Sequence, residues 1–584
     1  MQKSENWKID SLRAHLDHEP VPLKFGTSGR RGCVVDLTQL EVYLNALAEL
    51  EYLQSLPVEQ GGISKGDVFY YAYDLRPSST AFVREEKGRG ELAQAIERAI
   101  RDAGMVPVNL GPIPTPALTY YGLVHAKGSI MITGSHIPFE RNGYKLNTSQ
   151  GELLKKDEEP IGARVDELRR KLYQEPLSRS LFNENGMLKT GHQELSPVND
   201  GGRRAYIARY LDFFRGRDLT GLRLVAYQHS AVGRDILVEV LRALGAEVVP
   251  AGRSDMFVPI DTENIDAEQL RKICLLVAEA ALEYGPIEAV VSTDGDSDRP
   301  LVLGVDSRPA GPEVRFFGGD LVGMVVAEFL KVDSVVVPIS CNDAVDLGNL
   351  RHLLEPKTRI GSPFVIAGMQ RARAKGKQRI CGWEANGGFL LGSDIEHEER
   401  VLRALPTRDA LLPILSVLFA AKAKGIDLAG LFRQLPARFS QAALLRKFPR
   451  ARALQIVGRL TPSNPRVNEV RFEDNGVRLL DCEGREIPDP AHGGDSLTAI
   501  RSEVSSSFPA TLGFDAVVRM NYTDGVRIYF ANGEIAHVRP SGNADEFRIY
   551  AVAGSQARAD EIARLGVGEP DGILRRMERQ LVAC

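Results

Sequence analysis

Ile130-Met131-Ile132-Thr133-Gly134-Ser135-His136-Ile137-Pro138 is the run on which the reading of this chain turns. An apolar strand-like segment stops at a small, polar loop, and Arg141-Asn142-Gly143-Tyr144-Lys145 follows. A strand that ends this way presents a hydroxyl where α/β sheets place their chemistry. Ser135 is therefore a candidate nucleophile that carries phosphate. Taken alone, a serine in an ordinary turn is the plainer reading. Three further loops, far away in sequence and each suited to phosphate, metal or sugar, lift Ser135 above it.

Outward from this loop, strand and helix alternate. Leu23 to Gly32, LKFGTSGRRG, is a flexible basic loop, and a helix is expected over Leu37 to Leu56. Val68 to Tyr73 reads as a strand ending in Asp74-Leu75-Arg76-Pro77-Ser78-Ser79. Glu91 to Gly104 has helical spacing and a glycine stop, and Val106 to Leu110 is a short strand. This alternation predicts an α/β fold with a mostly parallel sheet. Roughly 160 to 200 is expected to be a helix and a polar linker. A second series follows: strand 222–227, helix 233–244, strand 247–250, helix 267–283 and strand 287–291. A third comprises helix 320–330, strand 334–339, strand 379–383 and helix 409–424. Beyond about 432 only short strands stand out (467–472, 526–530, 547–552), which suggests a smaller α+β domain.

A length of 584 residues predicts about four domains. The balance of 43% hydrophobic and 26% charged residues is that of an ordinary soluble protein with ample core. A formal net charge of -4 implies no field for nucleic acid or a membrane, so an anionic substrate needs a local basic pocket. Cys33, Cys274, Cys341, Cys381, Cys482 and Cys584 show no CxxC or Cys/His spacing and read as reduced thiols. The polar first residues lack an apolar signal core, and no apolar run approaches the ~20 residues of a membrane span. A cytoplasmic protein is expected. Leu411 to Ala421, the longest apolar stretch, reads as a buried helix.

The metal candidate is Ser292-Thr293-Asp294-Gly295-Asp296-Ser297-Asp298-Arg299-Pro300. Three carboxylates alternating at the end of an apolar strand are costly unless a cation neutralises them, and hard oxygen ligands suit Mg²⁺. An EF-hand loop fails, because Arg299 and Val305 stand where its glycine and bidentate glutamate belong. A solvated acidic turn, or a phosphatase with an aspartyl nucleophile, stays open. Gly382-Trp383-Glu384-Ala385-Asn386-Gly387-Gly388-Phe389 pairs a carboxylate with an amide and could hold vicinal hydroxyls. Arg539-Pro540-Ser541-Gly542-Asn543-Ala544-Asp545-Glu546-Phe547-Arg548 offers guanidinium and backbone donors to an oxyanion. Either segment in isolation reads as a turn.

Together and in order, these loops resemble those of the α-D-phosphohexomutase superfamily, the phosphomannomutase/phosphoglucomutase enzymes. That family has a Thr-Ala-Ser-His-Asn-Pro phosphoserine loop, an Asp-Gly-Asp-x-Asp-Arg metal loop, a Gly-Glu-x-Ser-Gly sugar loop and an Arg-x-Ser-Gly-Thr-Glu-Pro phosphate loop. Here they stand as TGSHIP, DGDSDR, WEANGG and RPSGNADEFR, and FGTSGRRG is similar to the family's opening loop. The resemblance implies four domains around a central cleft: three similar mixed α/β domains over 1–197, 198–308 and 309–432, and a smaller α+β domain over 433–584. Ser135 would be the phosphoserine and would complete the shell of one Mg²⁺ held by Asp294, Asp296 and Asp298. Arg31 and Arg299 would stabilise the moving phosphoryl group, with Lys145 assisting as acid, base or charge. Glu384, Asn386 and Gly387 would read the sugar. Arg539, Ser541, Gly542, Asn543 and Arg548 would grip the phosphate that is not reacting.

The implied activity interconverts hexose 6-phosphate and hexose 1-phosphate through a hexose 1,6-bisphosphate, which also serves as activator. Phosphomannomutase is the first reading and phosphoglucomutase the next; a phosphatase and a non-catalytic sugar-phosphate-binding protein are the alternatives from other classes. No obligate protein partner is implied. The chain departs from the family at Gly134 for Ala, expected to ease the loop's backbone angles. It departs also at Ile137 for Asn, Asn386 for Ser and Asn543-Ala544-Asp545 for Thr-Glu-Pro. No lysine stands in Gly361-Ser362-Pro363-Phe364, and Leu479 to Ser507 looks like an insertion.

Overall fold

The computed structural model describes residues 10–582 except 264, 309–310, 474–475, 489–492 and 543–544. The chain divides into two compact units, Met1–Phe317 with Asn386–Leu428, and Gly318–Ala385 with Ala429–Cys584. The fold is mixed α/β with several sheets.

In the first unit, Val68–Tyr73 lies between Val106–Pro112 and Ser129–Ile132, parallel to both. Arg141–Thr148 then folds back antiparallel onto Ser129–Ile132, and Arg30–Cys33 pairs antiparallel with it. The sheet is thus mixed, as the resemblance implies, with more antiparallel pairing than the alternation alone predicts. The fold-back brings function together, because the register sets Lys145 opposite Met131 and Arg31 opposite Gly143. Gly143 is required there: a Cβ would lie 1.9 Å from the Arg30 carbonyl oxygen. Helix Gln39–Ser55, capped by the Thr38 side chain, is buried along most of its length. From it Glu49 meets Arg30 at 2.6 Å, and both side chains are almost wholly buried. Arg30 also donates to the Leu23 carbonyl at 2.7 Å and lies 3.6 Å over the Phe25 ring. Of the adjacent pair Arg30-Arg31, the first is structural.

A second sheet runs Glu247–Arg253, Arg223–His229, Ala289–Thr293, Pro300–Arg308 and Gly311–Phe316. Its first three strands are parallel and its last two antiparallel. The acidic loop is therefore a hairpin connection, closed by Thr293 opposite Pro300. Helix Leu411–Lys424 belongs to this unit, and Leu411 to Ala421 are all buried, as its apolar run predicts.

In the second unit, Ser334–Val336 pairs in parallel with Ile380–Trp383. The buried Trp383 packs against helix Gly319–Leu330 at Gly323, where a Cβ would come within 2.4 Å of the indole. The C-terminal region forms one eight-stranded sheet, larger than its short sequence signals suggest. The segment read as an insertion supplies strand Glu486–Ile487 and helix Gly493–Ser507, whose Leu497, Ile500 and Val504 enter the core. Among the described residues, no helix is long and apolar enough to cross a membrane.

Arg30→Met leaves the Glu49 carboxylate buried without its cation. A loss of about 3–5 kcal/mol in urea unfolding of the first unit is expected.

Candidate active site

Ser135 sits at the end of Ser129–Ile132 with φ +56, a left-handed conformation that is uncommon outside glycine. Its hydroxyl donates to Asp294 Oδ2 at 2.7 Å, across 159 residues of sequence. The loop is held from below by Asp74, at the end of the neighbouring strand. Asp74 accepts from Thr133 Oγ1 (2.8 Å), the Gly134 amide (3.2 Å) and Ser79 Oγ (2.9 Å). Arg76 donates to the carbonyls of Ser135 (2.9 Å), Pro138 (2.7 Å), Arg141 (2.8 Å) and Ile137. In the sequence these residues read only as a strand end. Their signal was present: Asp74-x-Arg76 follows an apolar strand in the same way as the other loops.

The expected role of Gly134 is corrected by this geometry. The left-handed angle falls on Ser135, not on Gly134. What Gly134 supplies is space, since a Cβ there would lie 2.5 Å from Cζ and Nε of Arg76. Gly295 does the same across the site, where a Cβ would lie 2.6 Å from the Ser135 carbonyl oxygen.

Asp294, Asp296 and Asp298 are completely buried. Burial and the two flanking carboxylates push Asp294 well above the ordinary carboxylate range. Burial raises Asp296 too, but Lys145 and the Thr115 hydroxyl outweigh it and hold Asp296 below that range. Lys145 Nζ lies 2.6 Å from both Asp296 Oδ2 and Asp298 Oδ2. Arg408, which sequence reasoning missed, reaches Asp298 Oδ2 at 2.9 Å from strand Leu405–Asp409. Arg299 Nε stands 3.8 Å from Asp294 and 3.7 Å from Asp298. Arg31 faces the same charges; burial lowers its guanidinium to about 10, against the pull of Asp296, so it is a cation at neutral pH. Asp296 Oδ1 and Asp298 Oδ1 are buried and accept no hydrogen bond. One oxygen from each of the three aspartates lies within 4.8 Å of the others. Orphaned buried acceptors are costly, and a divalent cation with hard oxygen preference fits this donor set.

The first unit thus joins Ser135, Lys145, Arg299 and the three aspartates, with Arg31 in electrostatic reach. Asn386 and Gly387 belong to it as well: Asn386 Oδ1 accepts from the Gly388 amide at 3.0 Å, and its carbonyl from Thr262 Oγ1 at 2.9 Å. In the second unit, Glu384 is buried at the end of strand Ile380–Trp383. There too, Arg539 stands opposite Arg548 in adjacent strands, with Nε 3.5 Å from Asp524 Oδ1. Ser541 is buried, its amide donating to the Glu546 carbonyl at 2.9 Å, and Gly542 follows it. Arg548 donates to Glu546 at 2.8 Å. Asn543 lies outside the described residues.

A hydroxyl, three buried carboxylates and a ring of cations on mixed α/β sheets define an enzyme of phosphoryl transfer. The description "Phosphoglucomutase/phosphomannomutase" matches residues 22–171 as alpha/beta/alpha domain I and residues 318–439 as alpha/beta/alpha domain III. A phosphomannomutase of Sinorhizobium fredii is 34% identical over 546 residues, covering 93% of this chain and 98% of the relative. One from Salmonella muenchen is 35% identical over 542 residues, covering 92% and 94%. A crystal structure of a phosphoglucomutase/phosphomannomutase family protein from Burkholderia thailandensis superposes with TM-score 0.60 at 17% identity, over 95% of this chain and 97% of that one. The chain belongs to the phosphoglucomutase/phosphomannomutase family and is a phosphohexomutase, an isomerase.

Two measurements follow from this geometry. Mg²⁺ should raise the thermal midpoint by about 3–5 °C over an EDTA control, and Asp296→Asn should abolish most of that rise. His229, wholly buried with Nε2 2.8 Å from the Thr293 carbonyl, is lowered by burial to about 4. The unfolded chain takes up this proton first, near pH 6.5. The stability that neutral His229 contributes is therefore full above that pH and is lost as pH falls toward 4. Between pH 7 and 5 the urea-unfolding free energy of wild type should fall about 2 kcal/mol more than that of His229→Gln.

Proposed function

We propose that the chain interconverts mannose 6-phosphate and mannose 1-phosphate, with Ser135 as a recycled phosphoryl store. The hydrogen bond from Ser135 Oγ to Asp294, 2.7 Å long and buried, is the observation that carries this reading. It supports a serine poised beside a metal carboxylate. The mannose preference rests on the two relatives named phosphomannomutase. Phosphoglucomutase activity is the second reading, because glucose and mannose differ only at C2 and a carboxylate at Glu384 suits hydroxyls common to both.

In the cycle, the C1 hydroxyl of the 6-phosphate attacks the phosphorus of phosphoserine. The bond from phosphorus to Ser135 Oγ breaks, and the proton of the attacking hydroxyl passes to Ser135 Oγ, to be given to the C6 oxygen in the second transfer. The resulting hexose 1,6-bisphosphate reorients, and Ser135 Oγ attacks its 6-phosphate, releasing the 1-phosphate and restoring the phosphoserine. Splitting one isomerisation into two transfers is covalent catalysis, and positioning with charge stabilisation does most of the work. Asp294, Asp296 and Asp298 would hold one Mg²⁺, which when bound neutralises part of the phosphoserine charge. Arg31 and Arg299 stabilise the moving phosphoryl group. Lys145, between Asp296 and Asp298, either transfers a proton or supplies charge. Glu384 with Asn386 and Gly387 reads the sugar, and Arg539, Ser541, Gly542, Asn543 and Arg548 grip the distal phosphate. The four-domain division at 197, 308 and 432 and activation by hexose 1,6-bisphosphate belong to the same reading. Burial of Ser135 and the aspartates keeps water from discharging the enzyme.

Turnover of mannose 1-phosphate and glucose 1-phosphate, with Mg²⁺ and a trace of hexose 1,6-bisphosphate, tests the substrate. Ser135→Ala should lose at least about 1,000-fold in kcat and the ~80 Da adduct of the wild-type protein. Full turnover by Ser135→Ala would sink the scheme in favour of an aspartyl phosphatase. Absence of both adduct and turnover in wild type would leave a sugar-phosphate-binding protein.

A further inference from the structure

The two departures in the serine loop, Gly134 for Ala and Ile137 for Asn, meet at a single side chain. Arg76 is fully buried and 59 residues from Ser135 in sequence. Its guanidinium pairs with Asp74 at 3.3 Å and lies 3.9 Å over the Phe257 ring. The same group gathers the carbonyls of Ser135, Ile137, Pro138 and Arg141. Ile137 has no side-chain donor or acceptor with which to tie the loop, as an asparagine would. Its carbonyl is held by Arg76 instead. A methyl group on residue 134 would lie 2.5 Å from Cζ and Nε of that guanidinium. Such a contact is cheap only if the long side chain can swing aside, and this one is pinned by carbonyls, a carboxylate and a ring.

We propose that Arg76 is a positioning residue for phosphoryl transfer. In this chain a clamp on four backbone carbonyls holds the serine loop, and Gly134 is the residue that makes room for it. The clamp keeps Ser135 at its left-handed angle with its hydroxyl on Asp294. Restoring the family's alanine at 134 should therefore harm this enzyme, not improve it. The inference rests on the reading of Ser135 as the phosphate carrier.

A double-mutant cycle of Gly134→Ala and Arg76→Lys tests it, reading kcat, KM and the rate at which Ser135 gains ~80 Da from hexose 1,6-bisphosphate. Gly134→Ala alone should lower kcat and the phosphorylation rate at least about tenfold, with KM within about threefold, because misplacing the nucleophile acts on the transfer step. In the Arg76→Lys background the same substitution should cost less than about threefold, since the group it collides with is gone. Wild-type rates in Gly134→Ala, or an undiminished cost in the Arg76→Lys background, overturn the clamp. If Gly134→Ala does not accumulate, Arg76→Lys decides alone: a loss of about tenfold or more in kcat at similar KM supports the clamp, and wild-type turnover refutes it. Failure of the underlying reading looks different, as a wild-type protein without the Ser135 adduct and a Ser135→Ala variant with full turnover.

Discussion

Three buried carboxylates each bring an oxygen within 4.8 Å of the others, and much of the first unit answers that repulsion. Like charges so close cannot all remain ionised in a low-dielectric interior without nearby cations. Lys145 spans Asp296 and Asp298, Arg408 braces Asp298, and Arg299 stands beside Asp294 and Asp298. Each cation comes from a different stretch of chain, so the topology is in effect a device for delivering positive charge to one point. Even so, two carboxylate oxygens are left without hydrogen bonds. The protein has compensated the charge while leaving ligand atoms open.

The serine loop is built on the opposite logic. It is held by its backbone and the Thr133 hydroxyl, through Asp74 below and Arg76 behind, and the Ser135 side chain is left for chemistry. A residue at φ +56 persists only where its surroundings over-determine it. Here the surroundings include the Ser135 amide on Thr133 Oγ1 at 2.7 Å and the close approach of Gly295. The strained conformation is what carries the hydroxyl from the end of one sheet to an aspartate on another.

Much of this was legible in the sequence. The strands before Ser135 and Asp294 stand out because β-rich apolar runs stop abruptly at small polar residues, a local signal. The acidic loop was readable because Asp-x-Asp-x-Asp encodes its cost in composition alone. Arg408 was not readable: it lies in a strand with no motif around it, and only the fold brings it to Asp298. The hairpin Pro300–Arg308 with Gly311–Phe316 was less legible: Gly311 and Pro312 signal a turn, but Gly311–Phe316 is too short and too polar to read as a strand by itself. The role of Gly134 was misread because a missing side chain can serve angle or space, and the sequence does not say which. That helix Gly493–Ser507 enters the core was not legible, because core membership is decided by partners, here strands distant in the chain.

The way Arg76 grips its loop bears on how such a chain can drift. Carbonyl oxygens are common to every residue type, so a contact made through them is blind to the side chains it secures. Positions 137 and 141 can change their chemistry while the grip is unaltered, and Ile137 is an instance of that latitude. Position 134 has no such latitude, for the only thing the grip senses there is bulk. The grip thus constrains the arginine and the glycine beside it, and it leaves Ser135 to be constrained by chemistry alone.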